Sequence, residues 1–281
     1  MTPFVKFHGF GNDYIVASKT DVEGHDLSQL AQEICHRHTG AGADGIAVVE
    51  KLDGRRADFF CEIVNPDGSI AGFSGNGTRC AVSFLYFRKL WSDATLRLET
   101  RSGVKNFHLS ERIGETGFWF DAEIGMPKFA SADVPINTVR PLKQVVDHAI
   151  SVDGRQVAVA CVNVGNPVAC TFVDHFEFDW RTLGRLLEIH EVFPQRANIV
   201  FVKVLDGDDI EIRIWERGVG ETSSSGTCCS GAAVLCALTD RTSRKVSVHT
   251  TGGITKVDWR DDGEILLTGR ADLAYVGEWP K

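Results

Sequence analysis

Asn65-Pro66-Asp67-Gly68-Ser69-Ile70-Ala71-Gly72-Phe73-Ser74-Gly75-Asn76-Gly77-Thr78-Arg79-Cys80 is the stretch on which the reading of this chain turns. The alternation Phe59, Cys61, Ile63 before it is that of a half-buried strand, and Asn65, Asp67 and Gly68 carry the turn chemistry that ends one. Gly75, Asn76 and Gly77 read as a second turn, followed by a helical run from Thr78 to Leu90, so Ser74 stands at the mouth of a helix. The plan recurs late in the chain. After the alternation Ile210, Ile212, Ile214 comes Glu216-Arg217-Gly218-Val219-Gly220-Glu221-Thr222-Ser223-Ser224-Ser225-Gly226-Thr227, which leads into a helical run from Gly231 to Leu238. Ser225 holds the place in the second unit that Ser74 holds in the first.

A helix N-terminus offers unbonded N–H groups and the positive end of the helix dipole, and glycine lets an anion approach the backbone. Read alone, either stretch is an ordinary glycine turn with a serine cap. Finding strand, small polar residue, glycine turn and helix twice in one chain favours a shared site for a carboxylate.

The same residues carry a resemblance. Asn65-Pro-Asp-Gly-Ser through Gly75-Asn-Gly-Thr-Arg-Cys80 and Glu216-Arg-Gly-Val-Gly-Glu-Thr222 resemble the diaminopimelate epimerase family of cofactor-independent amino-acid epimerases. Lys6-Phe-His-Gly-Phe-Gly-Asn-Asp-Tyr14, Gly40-Ala-Gly-Ala-Asp-Gly45, Gly165-Asn-Pro167 and Arg196-Ala-Asn198 follow in the family's order and cover nearly the whole chain. The resemblance implies an α+β fold of two pseudo-symmetric domains, each a barrel-like, mostly antiparallel sheet around a central helix, with the site in the cleft between them. It implies a first domain over 1–125 that regains about 270–281, and a second over about 126–269. It also implies LL- and meso-diaminopimelate as substrates, in the lysine and peptidoglycan precursor pathway, and is compatible with a homodimer.

By the same resemblance Ser74 and Ser225 occupy the catalytic positions, where the family carries cysteines as acid and base. Asn12, Asn65, Asn166 and Asn198 would hold the polar groups of the substrate, and Glu216 with Arg217 its far end. Gly75, Asn76, Gly226 and Thr227 would cradle the near carboxylate through backbone N–H groups. Arg217 is the residue that selects a second carboxylate, because a guanidinium fork pairs with one through two bonds; the bland alternative is a surface ion pair with Glu216. Val168 is a further departure, standing where the family has histidine after Gly-Asn-Pro.

Inverting an α-carbon without a cofactor takes a base on one face and an acid on the other. Thiols suit this because helix N-termini bring their ordinary pKa of about 8.5 towards working pH. A serine hydroxyl lies roughly five units higher, and reaching its alkoxide costs about 7 kcal/mol more. The residues therefore leave several readings open: an epimerase working through the serines or through a neighbour such as Cys228, a racemase, epimerase or dehydratase for another amino acid such as a hydroxyproline, a catalytically silent amino-acid binder, and an engineered pair of serines.

Composition is consistent with a catalytic domain of this size. The 281 residues are 43% hydrophobic and carry a net charge of −8, which argues against nucleic acid or an acidic membrane as partner. No apolar run reaches membrane length and the first residues lack the order of a signal peptide, so a cytoplasmic protein is expected. None of the eight cysteines forms a Cys-x-x-Cys pair; neither a disulfide framework nor a metal site is expected, and Cys35, Cys61, Cys161, Cys170 and Cys236 read as core. The Gly-x-Gly matches lack the spacing and trailing acid of a dinucleotide fingerprint.

Elsewhere the pattern predicts strands at Phe4–His8, Asp13–Ala17 and Ile46–Val49, and a helix capped by Asp26. Strands follow at Leu96–Glu99, Val104–Leu109 and Gly117–Ile124. The proline- and polar-rich stretch 130–141 reads as a linker. The second half adds strands at Val145–Val152, Gln156–Val164 and Val168–Val173, and a helix over about Asp179–His190. Asn198-Ile-Val-Phe-Val202 reads as an echo of Asn12-Asp-Tyr-Ile-Val16, and strands at Val246–Thr250, Ile254–Trp259 and Glu264–Thr268 close the chain. Short strands joined by tight turns outnumber the helices, which favours an antiparallel-rich α+β fold.

Overall fold

A computed structural model describes residues 1–72 and 74–280. The chain divides into two compact units, Met1–Glu123 with Thr268–Lys281, and Ile124–Leu267.

In the first unit the strands are β1 (Thr2–Gly9), β2 (Asn12–Ser18), β3 (Ile46–Lys51), β4 (Phe59–Val64), β5 (Ile70–Ala71), β6 (Thr95–Thr100), β7 (Gly103–Ile113) and β8 (Gly117–Gly125), and the helices are α1 (Leu27–Ile34) and α2 (Gly75–Phe87). The final strand of the chain, β17 (Ile265–Trp279), pairs antiparallel with β1 and also with β8. With the pairs β1–β2, β2–β3, β3–β4, β4–β6, β6–β7 and β7–β8, these eight strands close on themselves. Closure removes the exposed edges that an open sheet would leave.

Helix α2 fills the closed sheet. Every residue from Asn76 to Tyr86 is buried, as befits a helix surrounded by strands rather than laid on one face. Phe7, Phe118, Phe120, Leu96 and Leu98 form the core with its Leu85. Helix α1 is instead amphipathic, capped by Asp26 and packed through Leu30, Ala31 and Ile34 on the outside of the sheet.

The second unit repeats the plan with β9 (Val145–Val152), β10 (Arg155–Asn163), β11 (Pro167–Phe172), α3 (Trp180–Glu188), β12 (Asn198–Val204), β13 (Asp209–Glu216), β14 (Gly220–Thr222), α4 (Gly226–Leu238), β15 (Lys245–Thr250) and β16 (Gly253–Trp259). The parallel pairs β2–β3 and β4–β6 of the first unit have their counterparts in β11–β12 and β13–β15, each joined by a helix-containing crossover. Strands β1–β7 thus correspond to β10–β16, and α2 to α4, which is likewise buried on all sides from Cys228 to Cys236. The α+β class and the pseudo-symmetric pair of mostly antiparallel sheets around central helices are therefore present.

Four local expectations need correction. Gly75-Asn76-Gly77 and Gly226-Thr227-Cys228 are the first turns of α2 and α4, not turns ahead of them; at α2 the capping bond of Ser74 helps poor helix formers to occupy the opening positions. The stretch 130–141 is no linker: Val134 and Ile136 are buried in a core with Val145, Trp180, Leu187 and Phe201, and backbone bonds tie Asn137 to Val192 and Ser131 to Leu142. Its turn-rich composition reflects irregular backbone pinned over a sheet. The last strand runs well beyond the expected end at Thr268, to Trp279.

The fourth correction concerns the repeat itself. Parallel register sets Ile15 beside Ile46 in one unit and Ala169 beside Ile199 in the other. Asn12 therefore corresponds to Asn166, not Asn198, which opens the strand equivalent to β3. Similar residues at two strand starts misled the pattern; the crossover order decides it.

Candidate active site

Ser74 is the N-cap of α2, in extended backbone, and its Oγ accepts the Gly77 N–H at 3.0 Å. That bond satisfies one of the helix's unpaired opening donors and leaves those of Gly75 and Asn76 without a helical acceptor. Ser74 has a second partner. The Tyr14 hydroxyl, on β2, lies 2.9 Å from Ser74 Oγ.

Ser225 takes the same place on α4 and the same extended backbone, yet its side chain makes no capping bond. Its hydroxyl instead donates to Glu216 Oε1 at 3.3 Å, with Thr227 Oγ1 at 3.5 Å. Burial raises the Glu216 carboxyl above the ordinary glutamate range, and the neighbouring hydroxyls of Thr222 and Ser225 offset part of that rise. A carboxyl held in this way is a better base, once ionised, than an exposed one.

Arg217 does not pair with Glu216. Among the described residues its guanidinium meets only the Gln195 carbonyl, at 3.2 Å, and no carboxylate. The segment that carries the two is held from behind. Glu188, at the end of α3, accepts from Gly218 N–H and from Trp215 Nε1, both at 2.9 Å, and Gly184 leaves room for the Trp215 side chain, which a Cβ there would meet at 2.8 Å. Sequence reading missed Glu188, whose only signal is a buried acid at the close of an otherwise amphipathic helix.

The expected asparagines fall into two groups. Asn198 is 3% exposed and spends its amide inside the fold, donating to the Pro167 carbonyl at 3.0 Å and accepting from Arg217 N–H at 2.9 Å. It positions the Arg217 backbone. Asn12 donates to Asp44 at 2.8 Å and Asn65 to Ser69 Oγ at 3.0 Å, while both stay half-buried at strand ends with amide oxygens to offer. Asn166, half-buried ahead of β11, is Asn12's counterpart in the second unit. The side chain of Asn76 turns inward to Arg79 at 3.0 Å, so Asn76 can meet a ligand through its backbone N–H.

Cys228 is removed as a candidate. It is fully buried, and burial pushes its thiol well above the ordinary range, with the Glu216 charge adding to the effect. Val168 is likewise buried, and its side chain fills the space above Gly231, where a Cβ would meet it at 3.0 Å.

The chain matches the family model for diaminopimelate epimerase over residues 4–117 and 160–274. It is 38% identical over 278 residues to a diaminopimelate epimerase of Caldanaerobacter subterraneus subsp. tengcongensis, covering 98% of each chain, and 36% identical to one of Moorella thermoacetica, covering 99% of each. The chain belongs to the diaminopimelate epimerase family. Membership makes it an isomerase of the amino-acid epimerase class and ties it to lysine biosynthesis. Solved structures share the fold of this family at low identity. A Bacillus anthracis phenazine biosynthesis protein of the PhzF family matches with a TM-score of 0.67 at 15% identity, covering 100% of this chain and 99% of that one. A hydroxyproline epimerase from Agrobacterium vitis matches with a TM-score of 0.67 at 15% identity, covering 98% and 90%. Among the described residues no helix is long and apolar enough to cross a membrane.

Proposed function

We propose that the chain interconverts LL- and meso-diaminopimelate by two-base proton transfer at one α-carbon, in the cytoplasm and without a cofactor. The observation that carries this reading is Arg217: a half-buried guanidinium inside the family's Glu-Arg-Gly motif, backbone-anchored by Asn198, with no carboxylate of its own among the described residues. Such a fork selects a substrate with a second carboxylate.

The chemistry assigns Ser225 and Glu216 to one face of the α-carbon. Ser225 Oγ takes the α-hydrogen as a proton while its own hydroxyl proton passes to the Glu216 carboxylate, so no free alkoxide is formed. Ser74 delivers a proton from the other face, and the two roles exchange for the opposite epimer. The reaction requires both serines to flank one α-carbon. Backbone N–H groups of Gly75, Asn76, Gly226 and Thr227 stabilise the α-carboxylate as it gains enolate character, and Asn12, Asn65 and Asn166 orient the amino groups.

Proton NMR of LL- and meso-diaminopimelate in heavy water tests this. Exchange of one α-proton with interconversion of the epimers is expected. The rate should rise with pH through a value above that of an ordinary glutamate, because Glu216 must be ionised to accept. Glu216→Gln should lower the exchange by at least about 100-fold and remove that limb. Binding of diaminopimelate with no exchange in the parent chain would make it an amino-acid binder instead.

A further inference from the structure

The two serines do not draw on equivalent partners. Ile46 lies opposite Val64 and Ile199 opposite Trp215, so Asn65 is the counterpart of Glu216, and the register of β2 and β11 makes Val168 the counterpart of Tyr14. Ser225 thus has a proton acceptor at the end of β13 and a valine on β11, whereas Ser74 has an amide at the end of β4 and a phenol on β2. Each serine is supplied with one titratable neighbour, from a different strand.

We propose that Tyr14 is the positioning and proton-relay residue of Ser74, an inference that rests on the epimerase reading above. Among the described residues Ser74 Oγ has two polar partners, the Gly77 N–H at 3.0 Å and the Tyr14 hydroxyl at 2.9 Å. The N–H has no proton to exchange in the reaction; the phenol has. As Ser74 gives its hydroxyl proton to the α-carbon, the Tyr14 proton moves to Ser74 Oγ and a phenolate remains. In the reverse direction Ser74 takes the α-proton and hands its own to that phenolate. A phenol ordinarily ionises near 10, roughly three to four units below a serine hydroxyl, so the relay leaves the charge on the weaker base.

The phenol is held in place by the backbone. Tyr14 is 6% exposed, and its ring rests against two glycines. A Cβ at Gly77 would lie 2.9 Å from Tyr14 Cε1 and 3.0 Å from Cζ, and one at Gly45 2.8 Å from Cε1. Any other residue at either site would push the ring away from Ser74. Charged groups on the neighbouring elements are engaged with one another: Lys6 and Arg37 with Asp13, Arg37 also with Asp44, Glu62 with Arg101, and Arg79 with Asn76, while His8 Nδ1 accepts from Gly11 N–H.

Tyr14→Phe keeps the ring and removes the hydroxyl. Exchange of the α-proton on the face served by Ser74 should fall about 100-fold with KM unchanged. A ring-fluorinated tyrosine at position 14, whose phenol is more acidic, should restore exchange and move its pH profile downwards, which a packing role would not do. A second measurement needs no turnover. In Ser74→Cys, the pKa of the introduced thiol, followed by thiolate absorbance, should rise by about one unit when Tyr14→Phe is added. Unchanged exchange and an unchanged pH profile in Tyr14→Phe would overturn the relay. If the parent chain binds diaminopimelate but never exchanges it, the epimerase reading fails and the relay with it; the thiol titration then reports whether the Tyr14 hydroxyl still serves position 74 as a donor, and a thiol that does not move overturns the pairing too.

Discussion

Replacing Ser74 and Ser225 by cysteine one at a time should give two thiols of very different acidity. At position 74 the side chain caps α2, accepts the Gly77 N–H at 3.0 Å and lies 2.9 Å from the Tyr14 hydroxyl. Two donors and a helix N-terminus bring a thiolate there about one unit below the ordinary 8.5. At position 225 no capping bond is made, and Glu216 Oε1 stands 3.3 Å from the side-chain oxygen. Two negative charges about 4 Å apart repel by about 4 kcal/mol at an effective dielectric of 20, equivalent to about three pKa units. The thiol and Glu216 therefore share one proton, and the second leaves only at a much higher pH. The two variants should differ by about four units.

Thiolate absorbance against pH, with the parent chain subtracted, measures this directly. All eight native cysteines are buried, and burial pushes Cys80 up to about 12 and Cys228 well above the ordinary range, so the thiol at position 74 titrates well below them and the difference from the parent isolates the one at position 225. Adding Glu216→Gln to Ser225→Cys should bring its thiol down by about three units. Two thiols with the same pKa, or no response to Glu216→Gln, would refute the assignment of Glu216 to Ser225. For turnover, Ser74→Cys with Ser225→Cys should raise α-proton exchange by orders of magnitude, up to about 100,000-fold if the full gap of roughly five units is realised. Either substitution alone should do far less for epimerisation, since inversion needs both faces.

Arg217→Lys should weaken binding of diaminopimelate while leaving a monocarboxylic analogue nearly unaffected, because only the second carboxylate loses a fork; calorimetry with both ligands checks this, and equal losses would contradict the role. The fold should also lose stability in acid through Asp13. Burial alone would raise its carboxyl, but bonds from Arg37 and Lys6 outweigh it and hold the value from 3.8 down to about 2. A depressed carboxyl contributes stability above its unfolded value that fades as pH falls through the folded one, here about 2 kcal/mol lost between roughly pH 5 and pH 2. Urea melts of the parent and Asp13→Asn across that range should converge at the acid end.

The sequence by itself determined most of the elements, the family and the two serine positions, because those depend on local signals. Alternating apolar residues mark the strands, Asp26 and Ser74 mark helix starts, and glycines mark turns whatever lies across the sheet. It also named Glu216 and Arg217, since both sit inside a continuous motif. Tertiary structure decided what each side chain meets. Tyr14 is 60 positions from Ser74, and nothing in the alternation of β2 says that its ring will find room over Gly45 and Gly77. Glu188 supports Trp215 and Gly218 from another helix, and Asn198 bonds to the Pro167 carbonyl and the Arg217 N–H, partners that its motif does not announce. Cys228 looked available beside Ser225 until α4 proved to be surrounded by sheet. A motif fixes which groups are present; the free energy of each, and hence which can carry a proton, is set by burial and by neighbours that the chain brings in from far along its length.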